Sequence, residues 1–250
     1  VMGTYIGMLG GTDPAAKVLF ATHLLSASVM AVPGSIVLAK MLCPQTEEAT
    51  DHVAISGKEK ENSNILDAIS SGTVTGVKLM TNIAAMLLVF ISLVALANYI
   101  TEGVIGRYTG LNDWIVSITG GKAQGLTFQF ILGVILSPFM WLIGVPYQDV
   151  MLVGSLLGQK TILNEFVAYF QLQEWKDAGL FLYQKSILMS TYILCGFANI
   201  SSIGILLGGM GVLAPEKREL ITRFGFPAMI AGALVSVLSA TIIGMMLIVN

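Results

Sequence analysis

Apolar residues fall along this chain in long runs separated by short polar stretches, and the run lengths predict helices rather than strands. Residues 18–42 form one run, interrupted by Pro33-Gly34, where a missing backbone donor and a flexible neighbour predict a kink or break. Residues 43–63 read "CPQTEEATDHVAISGKEKENS", with charges of both signs, and predict a solvated aqueous loop. Asn64 followed by Asp67 marks a helix start, and Leu66, Ile69 and Thr73 at helical spacing predict a short helix lying in the membrane surface. Residues 79–100 then carry no charge and are long enough to cross a bilayer, for which about 20 residues suffice. Residues 101–122 mix charges with Tyr108 and Trp114, the pattern of an interfacial helix and a glycine turn.

Residues 126–145 are apolar again, hold Pro138 and are followed by Pro146. Two shorter apolar pieces come next, 150–157 and 166–172, separated by the polar segment 158–165. Each is too short to cross alone, so the pair predicts a re-entrant hairpin with an opened tip. "QLQEWKDAGLFLYQK" returns to the surface, with Trp175 and Tyr183 as interfacial aromatics. The run 187–213 has the centre "CGFANISSIG", whose small and polar residues mark helix packing or an unwound site. "APEKRELITR" is a charged turn and 224–249 the last spanning helix. Basic residues are spread over several loops, so they assign no orientation.

Composition changes the picture in one respect. The chain has 250 residues, 55% hydrophobic and 11% charged, where a soluble domain carries about 25% charged residues. The expected fold is therefore all-α integral membrane: a multi-span helical bundle with a re-entrant hairpin and discontinuous transmembrane helices. It forms a single transmembrane domain over 1–250: helices to 42, aqueous loop 43–63, interfacial and spanning helices 64–122, re-entrant hairpin region 123–172, broken helix 187–213, last helix 224–249. The net charge of −2 says nothing about nucleic acid, and without a basic patch no such partner is expected. Cys43 and Cys195 adjoin apolar runs and are expected to be buried thiols rather than a disulfide. "VMGTYIGML" has neither a basic start nor a small-residue cleavage site, so no signal peptide is read there. Because the chain begins on Val1, a fragment with its first helix cut part-way is expected.

Few groups could do chemistry. "GSLLGQKT" has three residues between its glycines where a phosphate loop has four, and Gln159 separates Gly158 from Lys160. There is no G-x-S-x-G, H-E-x-x-H or Cys-x-x-Cys, and the histidines are His23 and His52, so no catalytic or metal residue is assigned. Asn199-Ile200-Ser201 matches a glycosylation sequon by letters only, since it lies in mid-span. Lys160 and Glu165 are five apart, about 140° around a helix, and cannot face each other as an i,i+4 pair. If 158–164 opens, Asn164 caps the following helix and Glu165 lies in its first turn, where the helix dipole favours a carboxylate. The competing reading has these charges snorkel to water from the interface, favoured for Lys160 and not for Glu165. Asn199 and Ser202, three apart, share a helix face. They are either a ligand wall bonding sugar hydroxyls, with the Phe197 ring packed on a flat base, or polar glue between helices. Taken alone, Phe197 is expected in the core, and His23 as a satisfied core histidine rather than a proton relay.

"GQKTILNEFVAY" is similar to the signature of the concentrative nucleoside transporters, Gly/Ala-x-Lys-x-x-x-Asn-Glu-Phe-Val-Ala followed by Tyr, Met or Phe. Gly158, Lys160, Asn164, Glu165, Phe166, Val167, Ala168 and Tyr169 match it. "CGFANISSIGILLGG", "HLLSASVMAVPGSIVLAKML" from His23 and "WLIGVPYQDVMLVGSLL" from Trp141 also resemble family segments, so the resemblance covers the chain as the family's C-terminal half. It implies a homotrimeric, multi-pass transporter of the bacterial inner membrane that carries nucleosides into the cell on a sodium or proton gradient. By the same resemblance Glu165 bonds the ribose hydroxyls, Asn199 and Ser202 complete the ribose side, Phe197 lines the pocket near the base, and Val1 is a pocket valine. The family's first hairpin and most of its sodium ligands have no counterpart in this chain, and "LGGTDPAAKVLFATHLL" is a longer loop than in some relatives. The alternatives left open are a transporter of another small polar solute, a membrane-embedded hydrolase using Glu165 or His23, and a receptor or gate element.

Overall fold

The computed structural model describes residues 2–44, 64–121, 123–204, 206 and 218–247. The expectations for Val1, for His52 and most of the charged loop, and for the end of the broken helix lie outside the described residues. The described residues hold helices and no strands.

Helices α1 (Met2–Gly10) and α2 (Pro14–Leu42) are joined at Gly11, whose φ of 54° ends the first, and at Asp13, which caps the second. The Asp13 carboxylate accepts from the N–H groups of Ala15 (2.9 Å) and Ala16 (3.3 Å), and Pro14 follows it in the first turn. Of the expected kink or break, the break does not occur: α2 continues through Pro33. Ser35 Oγ donates to Val32 O (2.8 Å), and Gly34 lies against Val235 of the last helix, so a hydroxyl and a neighbouring helix hold the turn that proline weakens.

The expected surface helix and the span after it are one element, α3 (Ile65–Asn98), started by Asn64 Oδ1 on the N–H of Asp67 (2.9 Å). No proline or cap interrupts the sequence between them, so the helix propagates. It runs on as a π-helical segment Tyr99–Gly106 into α4 (Arg107–Thr109), where an independent interfacial helix was expected, and then α5 (Leu111–Thr119). The glycine turn is present, Gly120 and Gly121 having φ of 61° and 82°. Two amides close this region: Asn112 links Glu102 O and the N–H of Leu126, and Asn98 links Gln129 and the N–H of Phe128.

Helix α6 (Phe128–Leu142) packs antiparallel to α7 (Val150–Ile162), with small residues at the crossing. A Cβ on Gly154 would stand 3.0 Å from Gly133 O and 3.2 Å from the carbonyl carbon of Leu136. These are backbone atoms that cannot step aside. Gly154→Leu is therefore expected to cost about 1–3 kcal/mol and lower the thermal-unfolding temperature in detergent. An unchanged temperature would mean the helices separate freely.

Helix α8 (Glu165–Asp177) returns along α7; α9 (Gln184–Cys195) is followed by a break, by α10 (200–204) and by α11 (Arg218–Met246). Every residue of α9 from Ser186 to Leu194 is buried, which makes it the central helix, surrounded by α2, α7, α8 and α11. Leu9, Leu24, Met140, Leu156, Tyr169 and Met189 share its core. Pro14–Leu42, Gln184–Gly204 and Thr222–Met246 are long and apolar enough to cross a membrane. Their outward leucines and valines, such as Leu25, Val29 and Val32 on α2, remain exposed, as they do on a helix that meets lipid. The two cysteines are free, but Cys43 is exposed where α2 ends, beyond the packing, and Cys195 is half-buried.

Candidate substrate site

The hairpin tip is tighter than expected. Helix α7 runs through Ile162, and only Leu163 and Asn164 leave helical geometry, Asn164 being fully extended (φ −169°, ψ 172°). Its Oδ1 accepts from the N–H of Val167 (3.0 Å), which starts α8 and places Glu165 at the first helical position. The opposite wall is the break in the α9–α10 helix. There Asn199 Oδ1 accepts from the N–H of Ser202 (2.7 Å), while Ser202 Oγ donates to Asn199 O (2.6 Å). Ser201 Oγ donates across to Leu163 O (3.3 Å), joining tip to break.

Between the two walls Asn199 Nδ2 donates to Glu165 Oε2 at 3.0 Å, and Glu165 is 7% exposed. The glutamate thus neither snorkels nor stands alone. The Tyr5 hydroxyl of α1 is close enough to act on this carboxylate. The Tyr5 ring stacks on Tyr169 at 4.2 Å, and the Tyr169 hydroxyl donates to Thr191 O (2.7 Å), so three helices orient one acidic group. Tyr5→Phe keeps the stack and takes away a hydroxyl beside the carboxylate, an interaction worth about 0.5–1.5 kcal/mol; a two- to tenfold loss of affinity for a polar ligand at this site is expected. Unchanged affinity would show the hydroxyl to be a bystander.

Phe197 stands apart from this cluster. It is exposed rather than in the core, and it borders a crevice of about 270 Å³ lined also by Ser28, Tyr192, Cys195, Ser236 and Ser239. Ser202 spends its hydroxyl on the cap of Asn199 rather than on the carboxylate. His23 Nδ1 lies 3.1 Å from the Tyr192 hydroxyl, which partners it at a half-buried position rather than in the core.

Lys160 does not reach water. It is completely buried, and its Nζ donates to Ile193 O (2.7 Å) and Ser236 Oγ (3.1 Å). Sequence reasoning missed Tyr5 and Asp149. Asp149 is fully buried before α7, and its carboxylate accepts from the N–H groups of Leu182 and Tyr183 at the entrance to α9. Sequence signals existed: a tyrosine in an apolar first helix, and an acid between two apolar runs. Lys176 was likewise passed over; it bonds Leu9 O at the end of α1 and lies over the Phe20 ring.

The family described as Na+ dependent nucleoside transporter C-terminus matches residues 23–244. The chain belongs to this nucleoside transporter family. It is 38% identical to an uncharacterized transporter of Haemophilus influenzae over 95% of this chain and 57% of that one. It is 36% identical to the nucleoside permease NupC of Helicobacter pylori, over 91% of this chain and 51% of that one. With rat sodium/nucleoside cotransporter 1 it shares 35% identity over 98% of this chain and 37% of the relative. Among solved structures it is similar to CNTnw in an inward-facing substrate-bound state (34% identity, TM-score 0.72, 97% of this chain and 57% of that one). It also matches a doubly substituted form of the same protein in an outward-facing state (34% identity, TM-score 0.75, 97% and 58%). The chain thus spans about half the length of the bacterial relatives and structures it matches, and less of the rat cotransporter. Family membership makes it a multi-pass, all-α membrane protein.

Proposed function

We propose that the full-length protein moves nucleosides across the membrane by alternating access, coupled to a sodium or proton gradient, and that this chain forms the ribose-binding half of its site. The observation that carries the reading is the buried Glu165 carboxylate, held at a helix junction by Asn199 with only one oxygen engaged by it. An ionised carboxylate accepts at about four lone-pair positions, so acceptor capacity is left for a vicinal pair of sugar hydroxyls. Asn199 and Ser202 shape the ribose side, Phe197 and Val1 serve the base side, and Gly158, Lys160 and Asn164 build the hairpin that carries Glu165. In this reading α7 and α8 are re-entrant: each has 13 residues, about 20 Å, against a hydrocarbon core of about 30 Å. A homotrimer in the bacterial inner membrane belongs to the same proposal. Support for alternating access comes from solved relatives captured facing both sides.

The test is accumulation of labelled uridine in vesicles of the full-length protein, with sodium and proton gradients imposed separately. Gradient-driven uptake with either ion is expected, and competition by purines, pyrimidines and free bases reads the preference. Binding without accumulation under either gradient would favour a receptor, and uptake indifferent to every nucleoside a transporter of another solute. Family membership argues against a hydrolase.

A further inference from the structure

Lys160 is the one fully buried lysine among the described residues, and its ammonium bonds Ile193 and Ser236 rather than the Glu165 carboxylate. Its surroundings show what it replaces. Helix α9 ends at Cys195, and Gly196 turns to an extended conformation (ψ 140°), so the carbonyls of the last turn lose their i+4 partners. That end also carries the negative pole of the helix dipole. In secondary transporters such half-helix ends and unwound carbonyls coordinate the coupling cation. Here the place is taken by the ammonium, on the carbonyl oxygen of Ile193 and the hydroxyl oxygen of Ser236. Ser236 directs its own proton to Gly232 O (3.2 Å), which leaves a lone pair for the lysine. A neutral carbonyl and a hydroxyl lone pair are hard oxygen donors, the kind an alkali-metal ion prefers. The backbone closes tightly around them: a Cβ on Gly196 would overlap Ser236 Oγ and stand 3.5 Å from Lys160 Nζ.

We propose that Lys160 is a resident cation: its ammonium fills an alkali-ion position at the end of α9 and latches the hairpin to the broken helix, so that no ion is taken up there. The latch rides on α7, five residues before Glu165, and its ammonium acts on the carboxylate as a counter-charge. The inference rests on the transport reading for its meaning, although the latch itself is testable without transport.

The experiment uses the full-length protein with Lys160→Ala, which leaves room for an ion, and Lys160→Met, which fills the space. Thermal unfolding and uridine binding are titrated with sodium chloride against N-methylglucamine chloride at constant ionic strength, and separately with ethylammonium. In low sodium both variants are expected to bind uridine about tenfold or more weakly than the native protein. Sodium or ethylammonium should restore Lys160→Ala, with a sodium dependence steeper by about one ion, and should leave Lys160→Met unrestored. The proposal is overturned if the two variants respond alike to every cation, or if native affinity survives both changes. If neither can be purified in low sodium, recovery of folded Lys160→Ala alone in high sodium or ethylammonium supports it, and equal failure of both overturns it. If the native protein binds no uridine, the transport reading falls, but the cation dependence of Lys160→Ala unfolding still decides the latch.

Discussion

Glu165→Gln in the full-length protein is expected to lower uridine uptake by about ten- to a hundredfold while leaving membrane insertion and thermal stability near native. Glutamine has the same shape and still offers Asn199 an acceptor at the position now 3.0 Å from its amide, so the junction of tip and break can persist. What disappears is the negative charge. A hydrogen bond to a charged partner contributes about 1.5–3 kcal/mol, and about 1.4 kcal/mol is a factor of ten in affinity. The loss should appear as weaker apparent affinity, and more strongly than for Tyr5→Phe, which leaves the negative charge in place. Glu165→Asp keeps the charge but withdraws it by one methylene, and should fall between native and glutamine. Uptake by Glu165→Gln at the native rate, with the protein present at equal level in the membrane, would remove the carboxylate from the sugar.

Asp149→Ala should act on stability instead, costing about 1–3 kcal/mol. Its carboxylate is inaccessible to solvent and receives the backbone N–H groups of Leu182 and Tyr183, where the chain enters the central helix. Alanine takes that acceptor from both donors at a part-buried position, where losing it costs about 1–3 kcal/mol in all. Asp149→Asn retains one acceptor oxygen and should lose roughly half as much. A marked drop in thermal-unfolding temperature is expected for alanine, with uridine affinity of the surviving folded protein close to native. Unfolding at the native temperature would show that other groups satisfy those donors.

The features legible in the sequence share a range of a few residues. Asn64 and Asn164 cap helices because each amide oxygen needs only the N–H three positions on. The turn at Gly120-Gly121 and the break after Gly196 follow from local conformational preference. Where local signals were read too strongly, the error ran one way, toward interruption. Pro33 does not stop α2, the expected surface helix is continuous with α3, and 158–162 stay helical instead of opening. In apolar surroundings an unpaired backbone group costs more than a weak helix former does, so helices extend until a real cap ends them.

The sequence by itself determined that this is a helical membrane chain, that one span is broken near Asn199, and that Asn164 presents Glu165 at the start of a helix. Only the tertiary structure decided who meets whom. Asn199 reaches Glu165 across 34 positions, and Lys160 reaches Ile193 and Ser236 across 33 and 76. Tyr5 joins from a different helix altogether. A buried charge is tolerable only when distant polar groups converge on it, and which groups converge depends on how the helices pack, which no local spacing encodes.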